Sequence, residues 1–142
     1  MRRSRYQNAS ATLHQLIEWK GAKERPLETF VDSHITTSGL RLLWTPGPTP
    51  GSCVVHAPAP LDVLFCGRLL IPVQENQLAP LRHRRTFHWP RQQLSLQRLR
   101  DWIPPESSPV LASGAGLGAL RGGRLAPFDS WSPAQSDLFP QD

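Results

Sequence analysis

Fifteen prolines in 142 residues are the strongest constraint on this chain. That is about twice the usual proline share of ~5%. A proline fixes φ and has no amide proton, so it stops helices and is excluded from the middle of a sheet ladder. This argues against a helical bundle, and short strands joined by stiff loops are expected. The length suffices for one domain with its own core. The hydrophobic share of 39% is somewhat below that of a typical globular chain.

Hydrophobic spacing supplies the elements. Ala9, Leu13, Leu16, Ile17 and Lys20 follow a helical period over Asn8–Lys20, with Asn8 or Ser10 as cap and Gly21 as stop. Thr29–Ile35 and Leu40–Trp44 read as strands separated by a turn at Ser38-Gly39. Ser52–His56 and Val63–Cys66 form the clearest β unit, joined by the proline-rich connection Ala57–Asp62. Symmetric pairing of that hairpin places Cys53 opposite Cys66 and Val55 opposite Leu64. Leu69–Val73 continues the unit, and a basic loop runs from Leu81 to Arg91. Pro90 opens a helix with apolar positions Leu94, Leu96, Leu99 and Trp102, stopped by Pro104-Pro105. Pro109–Ala112 is a last strand, followed by glycine-rich coil. One domain over residues 1–129 and a disordered tail over 130–142 complete the expected organisation.

Several function classes fall away. No apolar run approaches the ~20 residues of a membrane span. Met1-Arg2-Arg3-Ser4-Arg5 is basic, but no apolar stretch follows it, so a secretory signal is not expected and a cytoplasmic location is. Two cysteines, Cys53 and Cys66, are too few for a disulfide framework; both lie in apolar runs and are expected to be buried as thiols. Asn8-Ala9-Ser10 fits a glycosylation pattern but reads as a helix cap.

The segment Leu42-Leu43-Trp44-Thr45-Pro46-Gly47-Pro48-Thr49-Pro50-Gly51-Ser52 resembles a landmark of the metallo-β-lactamase superfamily. There a strand ends in Thr-Pro-Gly-His-Thr-Pro-Gly-Ser, and the next strands lead to an apolar run closed by Gly-Asp. The corresponding run here is Val63-Leu64-Phe65-Cys66-Gly67-Arg68. A helix and a strand then lead, in that family, to a small-residue turn with a further histidine, matched here by Ala112-Ser113-Gly114-Ala115-Gly116. The order of these landmarks covers residues 35–120, and Arg85–Arg91 is similar to the same segment of a divergent subgroup that already carries Gly-Arg. The resemblance implies an α/β fold, the second half of an αββα sandwich, with an N-terminally truncated chain as its corollary.

The same resemblance implies loss of the metal. Pro48, Arg68 and Ala115 occupy the slots of the three family ligands, and the His-x-His-x-Asp-His motif has no match. Zinc needs about three or four converging N, O or S ligands, and an arginine adds repulsion. The expectation is therefore a degenerate, non-catalytic member with no metal, no cofactor and no catalytic residue. Two alternatives stay open. One is a metal-dependent hydrolase whose N-terminal ligand motif is missing from this chain. The other is a basic interaction module binding nucleic acid or an acidic partner through residues 82–100; the +5 net charge permits an acidic partner but does not by itself point to a nucleic-acid site.

In that last reading Arg82, Arg84, Arg85 and Arg91 are the anion-binding candidates, with Phe87 and Trp89 interleaved for base stacking. Other constellations are weaker. His83 and His88 are poorly spaced for a relocated metal site, and Gly114-Ala115-Gly116-Leu117-Gly118-Ala119 matches a dinucleotide fingerprint without the helix and acidic residue it requires. Ser52 and Ser113 stand near the landmarks but lack a histidine base. An incompletely covered sheet is expected to favour self-association.

Overall fold

A computed structural model describes residues 29–116 and 125–131 of the chain. The chain divides into two compact units, Met1–Asp32 and Ser33–Asp142. Only residues 29–32 of the first are described, so the helix expected over Asn8–Lys20 lies outside the described residues.

The second unit is mixed α/β with a sheet-rich core, as the sequence suggests. A five-stranded sheet is built from β1 (Ser33–Ile35), β2 (Arg41–Trp44), β3 (Cys53–Ala57), β4 (Val63–Gly67) and β7 (Val110–Ser113), in the order β1-β2-β3-β4-β7. Neighbours are antiparallel except β4 and β7, which are parallel. A parallel pair needs a crossover, and here it contains helix α1 (Trp89–Trp102). A separate antiparallel pair, β5 (Ile71–Gln74) and β6 (Gln77–Ala79), precedes the helix.

Strand alternation divides the sheet into two faces. Leu43, Val54, Leu64 and Leu111 are buried in one cluster with Leu96, Leu99 and Ile103 from the helix and its end. Burying side chains of this size stabilises by about 1.5–3 kcal/mol each. The opposite face carries the paired row Leu42, Val55, Phe65 and Ala112. Phe65 in that row is half exposed and the others are half-buried.

The helix begins and ends for identifiable reasons. His88 is its N-cap, its Nδ1 accepting from the Arg91 amide, and Pro90 sits in the first turn, where a missing amide proton costs nothing. Ile103 leaves the helix in an extended conformation just before Pro104 and Pro105.

Five expectations need correction. The β3–β4 register is one residue away from the symmetric one, with Val55 opposite Phe65 and His56 opposite Leu64. This register puts Val54, His56, Leu64 and Cys66 on the buried side, and a one-residue slip would turn one strand inside out. The segment Leu69–Val73 does not extend the main sheet. Its chain enters β5, which folds back on β6 through Asn76 at φ 59°, a left-handed position that asparagine tolerates. Cys53 is exposed, on the opposite side of the sheet from the buried Cys66. The basic loop ends at His88, and Arg91 belongs to the first turn of α1. Finally, structure continues through a 3₁₀ turn at Phe128–Ser130 to the buried Trp131, inside the stretch expected as tail; residues 132–142 lie outside the described residues.

Candidate functional site

Strand directions collect the singled-out loops. Because β2, β4 and β7 run the same way, the segments that follow them emerge at one end of the sheet. These are the proline-glycine loop 45–52, the turn at Gly67–Leu70 and the small-residue turn 113–116.

Each segment is fixed by backbone chemistry. The Thr45 amide donates to Ser52 O at 2.8 Å, closing the first loop, and Trp44 Nε1 donates to Pro50 O at 2.8 Å across it. The loop is also attached to the helix. Ser95 Oγ donates to Pro46 O at 2.7 Å, and the amides of Phe87 and His88 donate to Pro48 O and Gly47 O. Gly47 has φ 155°, and a Cβ there would lie 2.4 Å from the Gln92 Cα. Only glycine allows that approach. The second and third segments meet directly, the Gly114 amide donating to Gly67 O at 2.7 Å and Ser113 Oγ to Leu70 O at 2.9 Å.

Between the first two segments lies a cleft of about 180 Å³, with Pro48, Thr49, Ser52, Cys53 and Arg68 among its walls. Pro48 and Arg68, the first two family ligand slots, thus share one cleft. Ala115 is not in its lining; its amide lies 3.3 Å from Ser113 Oγ, in the turn hydrogen-bonded to Gly67. Among the described residues no group of three His, Cys, Asp or Glu side chains converges anywhere. The two cysteines are poor nucleophiles, because burial pushes the Cys66 thiol up to about 12, and the atoms crowding the cleft wall partly desolvate the otherwise exposed Cys53 and raise its thiol as well. Ser52 Oγ is occupied by Thr49, lying 2.8 Å from its hydroxyl and accepting from its amide at 3.1 Å. Ser113 Oγ has only carbonyl and amide partners among the described residues.

The basic loop borders the cleft through the Phe87–Pro48 contact. Arg82, Arg84 and Arg85 are exposed on it, whereas Arg91 is half-buried in the helix. His83 and His88 are separate local devices, since His83 Nδ1 accepts from the Arg85 amide and His88 caps the helix. The glycine run starting at Gly114 leaves the described residues after Gly116, so its expected helix-breaking continuation lies outside them.

A second polar constellation, which the sequence did not signal, occupies the opposite end of the sheet. His56, fully buried on β3, has Nδ1 3.1 Å from Arg41 Nη1 and Nε2 2.6 Å from Asp62 Oδ1. Ser107 Oγ donates to Asp62 Oδ2 at 2.6 Å, and the Ser108 amide reaches the same oxygen at 3.2 Å. Arg41 also donates to Trp102 O and stacks 4.4 Å from that indole. A guanidinium can only donate, so His56 Nδ1 accepts and Nε2 carries the proton toward Asp62. Ser107 Oγ also lies 3.4 Å from His56 Nε2, but that nitrogen carries its own proton and the serine proton goes to the carboxylate at 2.6 Å, so this histidine does not prepare Ser107 for attack. The cluster joins β2, β3, the β3–β4 loop, the helix C-terminus and the segment before β7.

No family model matches the chain, and no curated protein or solved structure matches it. Among the described residues no helix is long and apolar enough to cross a membrane.

Proposed function

We propose that the chain is a degenerate, non-catalytic derivative of the metallo-β-lactamase fold, corresponding to the second half of its αββα sandwich, that keeps the loops of the family's site but not its ligands. One observation carries this reading. The three segments in which the family's ligands would stand emerge at the same end of one sheet, and two of the slots, Pro48 and Arg68, line a common cleft.

In this reading the cleft is a former metal site. Proline offers no ligand atom, alanine none, and the arginine supplies a permanent positive charge where a divalent cation would have to sit. Two free thiols agree with a cytoplasmic location, where thiols stay reduced. The half-exposed row of Leu42, Val55 and Phe65 agrees with a sheet that, in a complete sandwich, would pack against a second one.

Elemental analysis of protein purified without chelator tests the reading. The expected result is no stoichiometric zinc, iron or manganese after dialysis. About one metal per chain, retained through dialysis and lost to chelator, would overturn it in favour of the metal-dependent hydrolase.

A further inference from the structure

Arg68 opens the turn after β4 with its side chain exposed at the cleft, and among the described residues no carboxylate lies within ion-pair distance of it. Among the described residues no acidic side chain lines the cleft. A guanidinium presents its donors as a planar fork that fits a carboxylate or phosphate with two parallel hydrogen bonds. The same cleft is lined by Thr49 and Ser52, whose hydroxyl oxygens are 2.8 Å apart. That pair owns two hydroxyl protons, and their mutual bond consumes one. Whichever residue donates, one hydroxyl proton remains to be offered elsewhere. Pro48 and Leu69 give the cleft an apolar part.

We propose that this cleft binds the oxyanion head, carboxylate or phosphate, of a small organic acid. Arg68 takes the charge, and the Thr49–Ser52 pair adds a neutral donor. Arg82, Arg84 and Arg85, on the loop bonded to Pro48, supply long-range attraction without direct contact. The inference stands on the cleft itself and holds whether or not the chain descends from a metallohydrolase.

Amide chemical shifts of Thr49, Ser52 and Arg68 in the full chain, followed during titration at constant ionic strength, test it. The probes are inorganic phosphate and propionate. Saturable shifts at these amides with either probe are expected, and the probe that saturates first identifies the head group. Arg68→Gln, an exposed substitution whose retained fold is checked by circular dichroism, should weaken binding about tenfold or more. The triple variant Arg82→Gln, Arg84→Gln, Arg85→Gln should leave saturation within about twofold at moderate salt, because screened charges act weakly at a distance. Absence of saturation with both probes overturns the proposal, as does binding that survives Arg68→Gln undiminished or disappears with the triple variant instead.

Discussion

Nε2 of His56 lies 2.6 Å from Oδ1 of Asp62, and this contact joins a side chain with no solvent exposure to one that is about a third exposed. The imidazole is enclosed on its other side by Arg41 and meets the Trp102 ring edge-on at 6.1 Å. A buried imidazole needs both nitrogens satisfied, and the sheet end is organised around doing so.

Removing the carboxylate should therefore be costly. Asp62→Ala leaves the His56 proton, the Ser107 hydroxyl and the Ser108 amide without their acceptor. A loss of about 1–3 kcal/mol is expected from urea unfolding at neutral pH. Ser107→Ala, which removes one donor and leaves the others in place, should cost less. Equal effects of the two would show that the carboxylate is not the hub.

Acid should act through the same group. Burial pushes the Asp62 carboxyl up, but the hydrogen bonds from Ser107, His56 and the Ser108 amide outweigh it and hold the carboxyl below its usual value. A depressed folded-state value means that the unfolded chain takes up the proton first. The stabilisation is complete above the unfolded value of about 4 and fades as pH falls through the lower folded one. Melting temperatures measured between pH 6 and 2 (about the range of the unfolded carboxyl and below) should fall steeply at the acid end. Asp62→Asn should flatten that fall.

Gly47→Ala tests the attachment of the cleft loop to the helix. The added methyl would meet the Gln92 backbone and Cβ at 2.4 Å, and neither is the end of a flexible chain. Backbone displacement or unfolding should follow, with a loss of about 2–4 kcal/mol by thermal or urea denaturation. Gly51→Ala, where an added Cβ meets nothing within 4 Å, is the matched control and should be nearly silent.

Phe65→Gln addresses the half-covered sheet face. Phe65 is 50% exposed in the middle of the row formed with Val55 and Ala112. Sedimentation at increasing concentration should show less self-association for the variant, while its stability stays within about 0.5 kcal/mol of the parent protein. Self-association that persists unchanged would mean that this face is not the contact.

Local patterns made some of this readable in the sequence. Pro90 and the pair Pro104-Pro105 bracket α1, and the proline-glycine loop announces a rigid reversal between β2 and β3. Leu94 shows the limit of periodicity, since it fits the helical spacing yet is half exposed, whereas Gln92 and Ser95 are buried. Those two polar residues face inward because Gln92 Nε2 reaches Leu69 O and Ser95 Oγ reaches Pro46 O, partners that only the tertiary fold supplies. The cluster around His56 was hidden for the same reason. Arg41, His56, Asp62 and Ser107 belong to different elements, and no one of them stands in a recognisable motif.

The parallel pairing of Val63 with Val110 has a consequence for synthesis. β4 can dock on β3 as soon as both have left the ribosome, but its other edge has no neighbour until the helix and then β7 have followed. During that interval an apolar strand carrying Val63, Leu64 and Phe65 presents free amides and carbonyls to whatever else is nearby. The nascent chain is then most exposed to mispairing, and a pause in translation before Val110 would prolong that exposure, whereas the finished protein hides the same edge within its sheet.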